Sequence, residues 1–362
     1  MVLRINSIVL LGFCTIAEAL ASGRTASSPA QAVFSELLRD PTAVEWRSLS
    51  RFDQTLTRRE FENRLEFVFD PSRGLQEYLR IRAGSVEVYP TVKKDGQPWA
   101  VVRFAPKESA RLPLPASYRT PRDIRAMSVL TTGLPLAGLN VAIEPADIGG
   151  RWARMEDRSV DFPGYGRINE GDINLVVGRL LRDKLQKLGA KVFLVRDQAE
   201  PVLTAKPEQL EALVIDVLAN RPEILPESFR HRTASLPIGS PKRLQIAEES
   251  LLTKTLETRA RAALVRASFR PDLTIVLQHN ATPASSEGRL NPINRNVFFV
   301  HGAYTSVELR EAEQRFRLLT KLLEDVAPVE SEVAAAIAAR FRDQTGFPPV
   351  LSGNSANTRL VI

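Results

Sequence analysis

The sequence predicts an α/β protein: a mostly parallel sheet with helices on both faces, joined to a small N-terminal α+β module. Three observations predict it. From Leu139 onward, short apolar runs alternate with helical periodicity. The joins between these elements are short, which implies strand–helix–strand crossovers and a parallel sheet. Before residue 105 the pattern differs, with one capped helix and a hairpin-like pair of runs.

In chain order, residues 1–21 come first. "MVLRINSIVLLGFCTIAEALASG" places Arg4 before an apolar run from Ile5 to Ala17, then Ala19-Leu20-Ala21. That is the layout of a secretory signal peptide with a small-x-small cleavage site, cut after Ala21. A buried N-terminal helix or an anchor is the alternative, but the run is short for a membrane span and Glu18 interrupts it. Cys14 is the only cysteine, and the bulky Phe13 before it does not suit a lipid-anchor site. The exported chain would hold no disulfide. The expected location is the periplasm or cell envelope, with no membrane span after signal removal.

Residues 22–120 form the small module and its linker. In "TRREFENRLEFVFD" Thr57 caps, Glu60 follows three residues on, and Phe61, Leu65 and Val68 share one side. "SVEVYPTVKKDGQPWAVVRFAP" reads as a hairpin, with Val86 and Val88 alternating, a turn at Asp95-Gly96 and a return over Ala100–Phe104. "APKESARLPLPASYRTPRD" has four prolines and no periodicity, and reads as a linker.

Residues 121–362 form the larger domain. Leu139–Ile143 is a short buried strand. A helix follows, with Asn169 as N-cap, Gly189 as terminator, and Ile173, Val176, Val177, Leu180, Leu181, Leu185 and Leu188 as a core-facing stripe. Lys191–Val195 is the next strand. Pro201 to about Lys242 reads as an insertion with a helix near Glu208–Ala219. A long helix over Gln245–Phe269 precedes the strand Asp272–Gln278, and another strand is expected at Asn296–Val300. Helices at Val307–Asp325 and Val329–Arg342 close the chain.

The net charge of +7 favours an anionic partner. No run of five basic residues and no aromatic-studded basic stripe occurs, so no nucleic acid is expected.

In an open parallel sheet, ligands bind beyond the carboxyl ends of the strands. Asp147 follows the first strand, Glu170 opens the helix that returns across the sheet, and Gln278 ends the third strand. Each has a plainer reading: Asp147 as a turn-former before Gly149-Gly150, Glu170 as a first-turn carboxylate favoured by the helix dipole, Gln278 as a strand-end amide. His279 reads as a packed imidazole, and His231 and His301 as structural or surface residues. In "GGRWARMEDR" a Trp and a Met beside two glycines suit a cleft wall, or a surface loop with Arg–Glu pairing.

These residues carry a resemblance. Residues 139 to about 345 resemble the zinc-dependent N-acetylmuramoyl-L-alanine amidases, which cut peptidoglycan between glycan and peptide stem. That family has a strand ending Asp-Pro-Gly-His-Gly-Gly, a Glu opening a helix that leads to "GA-V-LTRD", and a strand "ADL--SIHANA". The counterparts here are "IEPADIGG", "NEGDINLVVGRLLRDKLQKLGAKVFLVRD" and "PDLTIVLQHNA". "IGGRWARMEDR" is similar to a subgroup with an inserted Ile and "W-x-x-M-E". The resemblance implies an amidase-like sheet, a peptidoglycan or stem-peptide partner, and zinc held by two His and one Glu. Those positions here are Asp147, Glu170 and Gln278, with His279 as an alternative after a one-residue slip. Strand alternation turns His279 away from the metal. The implied cleft contains Gly149, Gly150, Trp152 and Asn280.

The departures shape the expectation. Zinc prefers imidazole and thiolate, and a set of Asp, Glu and Gln is a weak zinc cradle. The family continues to a further strand with a second Glu as general acid/base; this chain ends at "SGNSANTRLVI", and Glu330 and Glu332 read as a solvated helix face. No catalytic residue is therefore assigned, and the last strand is expected to be missing. Three readings follow: a divergent active amidase, a non-catalytic peptidoglycan-binding or regulatory pseudoenzyme, and a truncated, decaying reading frame.

Overall fold

A computed structural model of the chain describes residues 29–70, 73–115, 133–162, 164, 166–279, 297–300 and 304–347, with 119, 123, 124 and 126. The expected signal peptide with Cys14, part of the linker, Asn280, Asn296, His301 and the end of the chain lie outside the described residues.

The chain begins with α1 (Pro29–Leu37), α2 (Ala43–Arg47) and α3 (Arg58–Arg64). α3 starts as its sequence dictates: Thr57 Oγ1 accepts from the Glu60 N–H at 3.3 Å, and the Glu60 carboxylate accepts from the Thr57 N–H at 2.8 Å. A second capping box, Thr42 with Glu45, opens α2. The strands β1 (Leu79–Ile81), β2 (Ser85–Val88) and β3 (Ala100–Arg103) form an antiparallel sheet in that order. The expected β2–β3 pair is present, with Val86 opposite Val102, and β1 extends it.

β4 (Asn140–Pro145) ends at the acidic loop. A hairpin of β5 (Ser159–Phe162) and β6 (Gly166–Asn169) then runs directly into α4 (Glu170–Lys187) and β7 (Lys191–Leu194). The helical stretch α5 (Glu211–Asn220), α6 (Glu227–Thr233), α7 (Pro241–Ser250) and α8 (Glu257–Ser268) leads to β8 (Leu273–Leu277). β7, β4 and β8 form a parallel sheet with β4 in the centre. Alternation along β4 decides what covers each face. Val141 and Ile143 pack with Leu181 and Leu185 of α4, whereas Ala142 packs with Val265 and Leu264 of α8. The mixed helix-and-sheet class with a parallel sheet is thus as expected, and helices cover both faces.

Several expectations are corrected. The helix expected over 245–269 starts at Pro241, capped by Ser240, and is split by a π turn at Leu251–Leu256. Asn169 does not cap α4; its amide instead donates to Asp172 Oδ2 at 2.9 Å. The stripe on α4 is not all core. Ile173, Val176 and Leu180 are 36%, 53% and 66% exposed. Apolar residues ring most of this helix, and a sheet covers only one side of a cylinder. No strand is assigned within 297–300 beyond a single bridge residue, Phe299.

α9 (Ala312–Glu324) and α10 (Ala327–Thr345) follow. Leu318, Leu319, Leu322 and Leu323 of α9 enter one core with Trp46, Phe52, Phe61 and Val102 of the N-terminal module. Arg315 fastens this contact: its guanidinium lies 4.0 Å from the Tyr78 ring centroid and donates to the Leu309 and Arg310 carbonyls. A second core joins Phe34 and Leu38, at the start of the chain, to α5, α6 and α7. Both cores therefore cross the division drawn at residue 120. Among the described residues, no helix is long and apolar enough to cross a membrane.

Candidate functional site

The loop after β4 is held from two sides. Arg196, directly beyond β7 and its neighbour Val195, donates to the carbonyls of Pro145 at 2.7 Å, Ile148 at 3.1 Å and Asp147. Glu156 accepts from the Ile148 N–H at 2.7 Å and the Gly149 N–H at 3.3 Å. One side chain thus takes the loop's carbonyls and the other its amides. Both pay for this placement in solvation: burial lowers Arg196 to about 10 and raises Glu156 to about 7. Asp147, beside Glu156, adds to the second shift by like-charge repulsion.

The two glycines have a steric reason. Gly149, at φ +82°, meets the first turn of α4; a Cβ there would lie 2.8 Å from the Asp172 N. A Cβ on Gly171 would in turn lie 2.8 Å from Gly149 Cα. Loop and helix touch backbone to backbone, and Gly150 N–H donates to Asp172 Oδ1 at 2.8 Å. "IGG" and "NEGD" are therefore two halves of one contact. Of the expected cleft residues, Gly149 and Gly150 serve this contact. Trp152 packs with Met155 against the α5–α7 core and donates to Glu200 at 2.9 Å.

This contact brings Asp147 and Glu170 to one place. Asp147 has φ +57°, a left-handed conformation that Asp tolerates better than most residues. Both carboxylates are largely buried, with side chains 13% and 8% exposed, and Arg158 lies between them. Its Nε is 3.5 Å from Asp147 Oδ1 and its Nη1 3.4 Å from Glu170 Oε2. Burial raises the Asp147 carboxyl above the usual range, against the opposing pull of Arg158, Arg261, Lys254 and Arg196. Asp147 Oδ2 is buried with no hydrogen-bond partner among the described residues. Deeper in the sheet, Arg261 donates to Glu257 at 2.7 Å and approaches Glu144 at 3.5 Å.

The third expected ligand position is corrected. Ile275 and Leu277 pack on the α4 side of β8, and His279 continues their alternation. Its Nδ1 lies 2.6 Å from Asn174 Oδ1, and the Asn174 amide donates to the Ala146 carbonyl at 2.7 Å. His279 therefore faces α4, one turn from Glu170, and does not turn away as strand alternation counted from Gln278 suggested. Gln278 is exposed.

These residues do not fit zinc. A zinc site needs three protein donors around one point. Here the two acids face a guanidinium, a permanent cation that makes no dative bond. Among the described residues, no three His, Cys, Asp or Glu side chains come together as a metal-holding group. Reading the sequence missed Arg158, Glu156, Arg196 and Lys254. A charged residue flanking a buried strand, as in "FLVRD", was the available signal for Arg196, and Glu156 and Arg158 lie in the stretch "IGGRWARMEDR" without having been given a role; for Lys254 no local pattern pointed to the site.

Compared with known protein families, curated proteins and solved structures, the chain matches none.

Proposed function

We propose that this chain is an exported cell-wall protein on an N-acetylmuramoyl-L-alanine amidase-like scaffold, and that it binds peptidoglycan or its stem peptides without zinc-dependent hydrolysis. The observation that carries the reading is Arg158. Its guanidinium lies between Asp147 and Glu170, where the resemblance would put a divalent ion, and supplies the positive charge those carboxylates need. A guanidinium holds no water to activate, so the nucleophile that the family's metal generates at neutral pH has no counterpart. The motif resemblance over residues 139–345 supports the wall as partner, and the net charge of +7 suits an anionic one. The signal-like N-terminus supports the periplasm or cell envelope as its location.

The test uses the purified mature chain and insoluble peptidoglycan. The expected result is retention on the wall with no soluble stem peptide released, with or without added zinc. Release that depends on zinc returns the active-amidase reading. Absence of both retention and release removes the wall as partner.

A further inference from the structure

We infer that the solvent face of α4 is a docking surface for an anionic lipid bilayer. Ile173, Val176 and Leu180 enter the headgroup layer, and Lys184 and Lys187 pair with its phosphates. This goes beyond the function proposed above and needs neither peptidoglycan nor the acidic loop. The five residues are spaced three, four, four and three apart, which places them along one side of a helix. The whole stripe is exposed. The opposite side of α4 is committed to the sheet. Leu181 and Leu185 pack with Val141 and Ile143, and a Cβ on Gly178 would lie 2.9 Å from Pro145 Cγ. The helix cannot roll to bury the stripe without giving up that contact.

The stripe differs from an ordinary solvated helix face in two ways. Its first half is apolar where such a face is polar. Its second half carries charge that the protein does not use. Elsewhere on the helix, Arg179 and Arg182 reach Asp197 at 2.8 and 3.4 Å, and Arg182 also meets Asp183 at 2.9 Å. Among the described residues, the side chains of Lys184 and Lys187 make no hydrogen bond or ion pair. The acids of the first turn are engaged inward, Glu170 by Arg158 and Asp172 by the Gly150 N–H at 2.8 Å. Beyond the helix the patch continues through Leu188 and Leu134, both exposed, with Leu134 against Gly189.

A bilayer answers both halves at once. Apolar side chains on a surface helix sink into the boundary between headgroups and acyl chains. Lysines there are attracted to lipid phosphates while their methylene stems cover apolar surface. α4 lies on the bilayer and does not cross it, since no described helix is long and apolar enough to span. A second copy of the chain fits less well. A stable interface takes about 20 residues a side. This patch offers five large apolar side chains and two unpaired lysines. A parallel pair of α4 helices would also set lysine against lysine. The net charge of +7 favours an anionic surface over another copy of the same chain.

The experiment sediments the mature chain with vesicles of phosphatidylcholine, and with vesicles in which about a third of the lipid is phosphatidylglycerol. The expected result is binding to the anionic vesicles at least about tenfold tighter than to the neutral ones, and weakened by salt. Val176→Ser with Leu180→Ser should weaken it about tenfold, and so should Lys184→Gln with Lys187→Gln. Lys184→Arg with Lys187→Arg should retain it, and unchanged thermal melts would show that these exposed substitutions leave the fold intact. Residues 22–362 hold no cysteine, so Leu180→Cys takes a single environment-sensitive dye. Its emission should shift to the blue on anionic vesicles, which reports entry into the apolar boundary. No binding to anionic vesicles, or binding that neither pair weakens, overturns the inference. Loss with the lysine pair alone and an unshifted dye marks a general polyanion site and overturns the bilayer as occupant. Lipid-free dimerisation that Leu180→Ser abolishes gives the face to a second copy and overturns it equally. Wall retention, present or absent, bears on the proposed function and leaves this inference to the vesicles.

Discussion

Glu156→Gln tests how the acidic loop is held. Glu156 is 3% exposed, and its carboxyl is pushed from an ordinary value near 4.5 to about 7. Burial is the first cause, and the Ile148 and Gly149 amides offset only part of it. An acid whose folded value is raised favours the folded state at low pH, and that contribution is lost as pH rises through the folded value. Each tenfold change in protonation is about 1.4 kcal/mol. Wild type should therefore lose roughly 2–3 kcal/mol through this one group between pH 5 and pH 8. Glutamine keeps one oxygen for both amides and carries no proton to titrate. The advantage of the variant over wild type should grow by that same 2–3 kcal/mol across the interval. Urea unfolding of both chains at pH 5, 6, 7 and 8 measures it. A stability difference that stays flat with pH would refute the claim that a desolvated carboxylate holds this loop.

Further perturbations probe the neighbouring contacts. Gly171→Ala places a methyl 2.8 Å from Gly149 Cα, and overpacking of backbone against backbone should destabilise the chain by about 3 kcal/mol, seen as an earlier urea midpoint. Arg196→Met removes the shared donor of the Pro145, Asp147 and Ile148 carbonyls, and should reduce stability by at least about 3 kcal/mol while speeding amide exchange at Ile148. Arg315→Met should weaken the seat of α9 on the N-terminal module by roughly 2 kcal/mol, with new protease cleavage between residues 304 and 327 as the readout.

Local chemistry was legible in the chain. Thr57 with Glu60, the paired runs at Val86 and Val102, and the strand–helix–strand from Asn140 to Leu194 depend on contacts between near neighbours, which spacing alone encodes. The same holds for the loop from Asp147 to Gly150, whose glycines announce an unusual backbone. The partners of that loop were not legible. Arg158 meets Glu170 only because the β5–β6 hairpin folds back and runs straight into α4. His279 turns to Asn174 because the chain beyond β8 keeps the alternation set by Ile275 and Leu277. The leucines of α9 belong to a helix expected to close the larger domain, and they pack in one core with Trp46, Phe52 and Phe61 of the N-terminal module. An apolar helix face states that it must be buried and not against what; distance along the chain carries no record of which surfaces meet. The sequence by itself thus determined the elements and the acidic loop, and only the tertiary structure decided which cation lies between its carboxylates.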